Sequence, residues 1–241
     1  MIITDLEQLQ KPAEPLEFLT EAGTKREEGE EIIAKLKAAM EEEKLVVLTA
    51  PQIGINKRIF CIRFSDQIKA FINPIITKKT GSVLGPETFN SLPGKEILIA
   101  RPEEIRAVYY TDDFKYEDNK FLKTGARLFD QQCQLLDGIL PTELGLVSDI
   151  EEDGSLWDLT DEEFAQLTEV YKKFIETKTK ALQASIGEHE QDVYKKLKFT
   201  EDVINGRTEV IEDPRKIKEQ QTKYMHAQNK ATFENFIRSK K

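Results

Sequence analysis

Histidine and cysteine are scarce in this chain, with two of each among 241 residues. The cysteines, Cys61 and Cys133, form no disulfide framework and fit a reducing compartment. Cys61 stands in the apolar run Ile59-Phe60-Cys61-Ile62 and Cys133 in a helical pattern, so both read as core residues. His189 and His226 fall in separate, late segments, and no D-x-D-x-D-G run is present. A transition-metal or calcium site therefore has no ready set of ligands, and no cofactor is expected. The nearest acidic run, residues 149–154, reads as a turn. No apolar stretch approaches the roughly 20 residues of a membrane span. The start, Met1 to Glu7, lacks the positive charge and long apolar stretch of a signal peptide. The expectation is a soluble protein made in a cytoplasm, with no membrane partner. Positive charge is in deficit too: 35 Lys and Arg against 44 Asp and Glu give a net −9. That balance argues against general nucleic-acid binding, which needs clustered cations on phosphates. Internal repeats, low-complexity tracts and sustained heptads are also missing.

What is present reads as a compact body with a charged addition, since 33% of residues are charged and 39% hydrophobic. Residues 1–24 form a lead-in broken by Pro12 and Pro15. Ile32, Ile33, Leu36 and Met40 recur at helical spacing within 25–44. Segments rich in β-branched and aromatic residues predict strands at 46–48, 58–64, 70–76, 96–100, 105–111 and 119–122, and a helix follows over 124–138. Further on, Thr160-Asp161-Glu162-Glu163 is a capping box that opens a helix. That helix presents Phe164, Leu167, Val170, Tyr171 and Phe174, and Val193, Tyr194, Leu197 and Phe199 form a second cluster. Asn205-Gly206, between Val203-Ile204 and Val210-Ile211, allows a short hairpin, and a helix is expected from Pro214 on. From 215 to 241 eight basic residues face two acidic ones, a local balance of +6.

Three blocks resemble the peptide deformylase family, whose members remove the formyl group from N-terminal formyl-methionine with a bound divalent metal. Leu45-Val46-Val47-Leu48-Thr49-Ala50-Pro51-Gln52-Ile53-Gly54 is similar to G-φ-G-φ-A-A-P-Q-φ-G. Glu87-Thr88-Phe89-Asn90-Ser91-Leu92-Pro93-Gly94 is similar to E-G-C-L-S-φ-P-G. Phe129 through Leu140 is similar to F-Q-H-E-φ-D-H-L-x-G-φ-L, with Leu136, Gly138 and Leu140 retained. Asn73-Pro74 and Arg101-Pro102 fall between the blocks where the family has them. The resemblance covers roughly residues 8 to 142.

The departures fall on the family's chemistry. The resemblance assigns the three metal ligands to the positions of Phe89, Gln131 and Leu135, and the general base to Gln132. A carboxamide is a poor ligand, alkyl and phenyl groups are none, and Gln takes no proton from water near neutral pH. Gln52, an oxyanion donor in the family, survives alone, and such a donor has nothing to stabilise without a nucleophile. Leu45 and Val47 replace the two glycines of the first block, so branched side chains take up space that the family leaves for peptide backbone.

The resemblance implies an α+β, peptide deformylase-like fold, with antiparallel and mixed strands around a central third-motif helix and a mainly helical C-terminal extension. The division expected is 1–145 for the deformylase-like domain and 146–241 for the extension. The function expected is that of a catalytically void pseudoenzyme used as a structural, protein-interaction component, such as a tail baseplate protein of a phage virion. The alternatives are a ribosome-associated regulator, its basic C-terminal tail on RNA, and a ligand-binding module using the remodelled groove. Contact with other protein subunits is assigned to Phe164, Tyr171 and Phe174 and to Lys216, Lys218, Lys223 and Lys230. A chain ending near Leu144 is accordingly expected to stay folded and to lose only assembly.

Overall fold

The computed structural model describes residues 2–20, 23–24, 26–150, 154–184 and 187–207. Alternation along the strands sets the layering. In β4 (Ile59–Phe64) and β5 (Gln67–Thr80), Ile59, Cys61, Ala70 and Ile72 point to one face and Phe60, Ile62 and Phe71 to the other. Both faces are apolar, so both must be covered. Helix α2 (Glu27–Glu42) covers the first with Ile32, Ile33, Leu36 and Met40, the set expected from its spacing. Helix α3 (Thr124–Leu136) covers the second, where Phe129 meets Phe60 edge-on at 4.9 Å and Phe71 at 5.1 Å. The sheet between them has five strands in the order β3-β4-β5-β8-β9, adding β3 (Val47–Thr49), β8 (Glu104–Tyr110) and β9 (Tyr116–Leu122).

Beyond α3 lies a three-stranded sheet, order β10-β7-β6, formed by β6 (Val83–Thr88), β7 (Lys95–Arg101) and β10 (Leu146–Asp149). Helix α3 is thus held between two sheets, and every residue from Phe129 to Leu136 is buried. The lead-in contributes a single turn, α1 (Leu6–Leu9), and the two-residue strands β1 (Leu19–Thr20) and β2 (Gly23–Thr24). Its Ala13 N–H bonds the Leu136 carbonyl at 2.8 Å and clamps the end of α3. Ladders between the named strands are all antiparallel, and Glu14 forms one isolated parallel bridge with Lys57.

Two retained features, the Asn73-Pro74 pair and Gly138, have plain structural reasons. Asn73 takes a left-handed φ of 49° at a register shift in β5, a conformation Asn tolerates better than most residues. Its amide clasps the lead-in by accepting from Leu16 N–H and donating to Leu16 C=O, and Pro74, which has no N–H, fits the bulge. Gly138, at φ 76°, ends the α3 region where a Cβ would come within 2.6 Å of the Gln10 carbonyl oxygen.

The addition is helical: the short α4 (Pro141–Leu144) and strand β10 lead into α5 (Asp161–Gln183) and α6 (Glu188–Ile204). The Thr160 capping box forms as read, with Thr160 Oγ1 accepting from Glu163 N–H and Glu163 Oε2 from Thr160 N–H. The hairpin does not form as allowed, because Val203 and Ile204 are the last residues of α6 and Gly206 follows at φ 63°. Val210, Ile211 and the helix expected from Pro214 lie outside the described residues.

Position 145 marks the end of the sequence resemblance, but the packing runs through it. Strand β10 pairs with β7 over Leu146 to Asp149. Leu156, Tyr171, Ile175, Val193 and Leu197 share one core with Phe89, Ile97, Leu98 and Leu135.

Candidate functional site

The three motif blocks converge at one place. β3 is an edge strand, so Val47 and Thr49 turn backbone groups away from β4. Side chains meet both: Asn90 Nδ2 donates to the Val47 carbonyl at 2.7 Å, and Gln52 Oε1 accepts from Thr49 N–H at 3.0 Å. An open edge is where an extended peptide would add a strand. Here those two edge groups are already satisfied. Gln52 is 1% exposed, and its amide N–H₂ donates to Ser91 Oγ at 3.1 Å. Leu45 and Val47 are half-buried, the first against the α2 core and the second against the α3 core.

On α3, Gln131 Nε2 donates to Glu87 Oε1 at 3.0 Å and to the Thr88 carbonyl at 3.1 Å. Its own Oε1 accepts from Gln132 Nε2 at 2.8 Å. Phe89 and Leu135, each 3% exposed, belong to one apolar core. The positions singled out from sequence are therefore brought together, but as amides bonded to one another and hydrocarbon packed on hydrocarbon. This donor set does not fit a divalent metal. Among the described residues no group of three or more His, Cys, Asp or Glu is placed to hold one. His189 instead faces Glu143 Oε1 at 2.5 Å on α4. Cys61 and Cys133 are buried, and burial pushes both thiols well above their ordinary range.

The densest polar cluster lies beside this site and was not foreseen. Arg101 is 1% exposed and forks onto Glu87, with Nε to Oε2 at 2.9 Å and Nη2 to Oε1. Its Nη1 reaches Asp130 Oδ2 at 3.0 Å and Gln134 Oε1 at 2.5 Å, and Lys79 Nζ lies 2.5 Å from Asp130 Oδ1. A signal existed in the third block. The family pattern puts Gln before its first His and Asp two residues after its Glu; here the order is reversed, as Asp130 and Gln134. One helical turn separates the two, and Gln134 Nε2 donates to Asp130 Oδ2 at 3.1 Å.

Burial opposes the charge on Arg101, but Glu87 and Asp130 outweigh it and hold the guanidinium above its ordinary pKa. Burial would also raise Asp130, yet Lys79 and Arg101 pull it from 3.8 down to about 2. A depressed carboxylate stabilises the fold above its unfolded pKa and ceases to as pH falls through the folded one. The Asp130 contribution, about 2 kcal/mol, is thus present above about pH 4 and lost towards pH 2. The gap in urea midpoint between wild type and Asp130→Asn is expected to close over that window. A gap constant from pH 5 to pH 2 would refute the charged role of Asp130.

The contact residues assigned from sequence fare unevenly. Tyr171 is 1% exposed, and its hydroxyl accepts from Ala100 N–H at 3.0 Å and donates to the Leu144 carbonyl at 3.4 Å. It anchors α5 to the body and does not face a partner, which corrects the assignment. Phe164 and Phe174 are half-buried against the same core. Lys216, Lys218, Lys223 and Lys230 lie outside the described residues. The exposed apolar surface is elsewhere. Trp157 is 69% exposed, and Val147 and Val170, about half exposed, line a groove of about 450 Å³ between β10 and α5. Helical periodicity pointed to α5 but could not rank its aromatic residues by burial.

A family model described as polypeptide deformylase matches residues 2–145. The peptide deformylase of Dictyoglomus turgidum is 35% identical over 97 residues, which is 39% of this chain and 62% of that protein. That of Agathobacter rectalis is 31% identical over 132 residues, 55% of this chain and 79% of that one. Among solved structures, a probable peptide deformylase from Synechococcus phage S-SSM7 superposes with a TM-score of 0.55 at 28% identity, covering 60% of this chain and 98% of its own. The peptide deformylase of Thermotoga maritima gives 0.54 at 26%, covering 60% and 95%. The family match ends at residue 145, so helices α5 and α6 lie outside it.

Proposed function

Because the chain belongs to the polypeptide deformylase family, we propose that it keeps the family's fold without its reaction and serves as a protein-interaction component of a larger assembly. The observation that carries this reading is the donor set. Two amides, an isobutyl group and a phenyl ring stand where the family resemblance calls for three metal ligands and a base, and all four are buried. A hydrolytic metal needs open coordination and a water of lowered pKa, and these groups supply neither. Gln52 and Asn90 further oppose peptide binding by occupying the β3 edge. Contact with protein subunits is supported by the exposed Trp157 and by the apolar groove between β10 and α5, since exposed Trp and apolar grooves are what interfaces use. Among the described residues no helix is long and apolar enough to cross a membrane.

The setting we propose is a tailed-phage virion, at the baseplate. Its support is the likeness to the Synechococcus phage chain combined with the lost donors and the added helices.

Purified protein is expected to hold no stoichiometric Zn, Fe or Ni and to deformylate formyl-Met peptides no faster than the buffer blank. One tightly held metal per chain by elemental analysis would overturn the reading. Introducing Phe89→Cys, Gln131→His, Gln132→Glu and Leu135→His together is expected to leave activity at blank, because Leu45, Val47 and Asn90 still close the groove. Turnover by that variant would mean that peptide reaches the site after all.

A further inference from the structure

A second cavity, of about 240 Å³, opens beside α3 and is lined from β5, β7 and α6. Two consecutive lysines face it from each side: Lys78 and Lys79 from β5 in the body, Lys195 and Lys196 from α6 in the addition. Arg101 and Asp130 reach it from within the buried cluster, so five cationic side chains meet one acidic one. In a chain of net charge −9 such a concentration needs a cause. The intramolecular pairings are partial. Lys79 is held by Asp130 and Lys196 by Asp137 at 3.0 Å, but Lys195 has only the exposed Asp192, and Lys78 has no ion-pair partner among the described residues. Adding Glu87, Asp137 and Asp192 behind the lining, with Arg58 and Arg127 that share two of them, leaves the surroundings net positive by three, seven cations against four acids. Like charges gathered around one cleft repel, and an anion lying between them relieves that repulsion.

The remaining walls are apolar or hydrogen-bonding. Phe199, Ile76 and Leu144 offer hydrocarbon, while Thr77, Ser82 and Thr200 offer hydroxyls. The cavity is somewhat smaller than the roughly 300–1,000 Å³ usual for drug-sized ligands, which favours a small molecule. We infer that this cleft binds a small organic anion, a carboxylate or phosphate carried on an apolar body, gripped between the deformylase-like body and the added helices. None of Gln52, Phe89, Gln131, Gln132 and Leu135 lines this site, and it stands whether or not the chain has deformylase activity. It exists only because the addition docks, since α6 supplies one wall.

Titrating the full chain with anilinonaphthalene sulfonate, an anionic aromatic probe, tests it, with neutral phenylnaphthylamine as the charge control. Saturable binding of one anionic probe per chain is expected, weakening as salt rises. The pair Lys78→Glu and Lys195→Glu, both exposed side chains, is expected to weaken it about tenfold or more while the melting transition is kept. If the reversals unfold the chain, Lys78→Gln with Lys195→Gln carries the same test. Competition by citrate or by a phosphate monoester then separates the two acid groups. Equal affinity for the neutral probe, affinity unchanged by the lysine variants, or loss on Trp157→Ala instead, would each overturn the assignment.

Discussion

A chain truncated after Leu144 is expected to be unfolded, with no cooperative urea or thermal transition by circular dichroism. The cut removes β10 from the edge of β7 and takes Leu156, Tyr171, Ile175, Val193 and Leu197 out of a shared core. Losing even about 2 kcal/mol for each buried side chain approaches the roughly 5–15 kcal/mol that holds a whole domain together. Ile97, Leu98 and Leu144, each at most 5% exposed, would face water, and Ala100 N–H would lose the Tyr171 hydroxyl. The sequence alone suggested that such a chain would fold, on the ground that all recognised strands and the third-motif helix precede residue 145. A cooperative melt of the truncated chain near that of the whole protein would restore that view.

The second large effect is expected at Arg101. Replacing it with Met leaves Glu87 and Asp130 buried, negative and close together, and breaking a buried pair from one side typically costs about 3–5 kcal/mol. Lys79 relieves Asp130 in part, and Arg127 Nε, 3.5 Å from Glu87 Oε2, relieves Glu87 in part. Substituting Glu87→Leu and Asp130→Leu together with Arg101→Met is expected to recover part of that loss, because no buried carboxylate then lacks its cation, while Lys79 and Arg127 give up their partners at less buried positions. Urea unfolding of the single and triple variants measures both. If Arg101→Met cost under about 1 kcal/mol, the cluster would be behaving like an exposed ion pair, and its burial would need another account.

Sequence exposed the body better than its margins. Helix α2 was legible because a solvated helix shows 3.6-residue periodicity, and β4 because its apolar run is dense. Strand β6 was missed: Gly85-Pro86 breaks its pattern, and Pro is tolerated there because β6 lies at a sheet edge. Strand β10 was missed because four residues with two apolar ones give no measurable period. The ends of β5 were underread, as Gln67, Lys69, Lys78 and Thr80 are polar residues on solvated stretches of a strand that continues past its buried middle.

For the site, the replaced positions were readable one by one against the motif, and they do meet in space. What could not be read was how the new residues satisfy one another: the two amides of Gln132 and Gln131 donating in series to the Glu87 carboxylate, or Asn90 reaching across to Val47. Those are three-dimensional pairings between segments some 40 residues apart in sequence. Tyr171 shows the converse error. A large aromatic on a helical stripe looks the same in sequence whether it meets a partner or its own protein, and only the hydroxyl bonds to Ala100 and Leu144 tell them apart.

The pairing of β7 with β10, and the seating of Leu197 on the same core, set the order of events during synthesis. Strand β7 is made early, yet its second neighbour follows about fifty residues later and its helical cover about a hundred. At the usual ~5–20 residues per second, its far edge and one apolar face stay uncovered on the ribosome for several seconds. During that interval the nascent chain presents a bare β-edge flanked by Ile97, Leu98 and Ile99, the kind of surface that chaperones hold and that neighbouring chains can zip onto. Overproduction at high temperature should therefore yield inclusion bodies seeded by the 95–101 segment. Slowing translation should not relieve this; lowering the temperature should, because it weakens apolar association of the waiting strand.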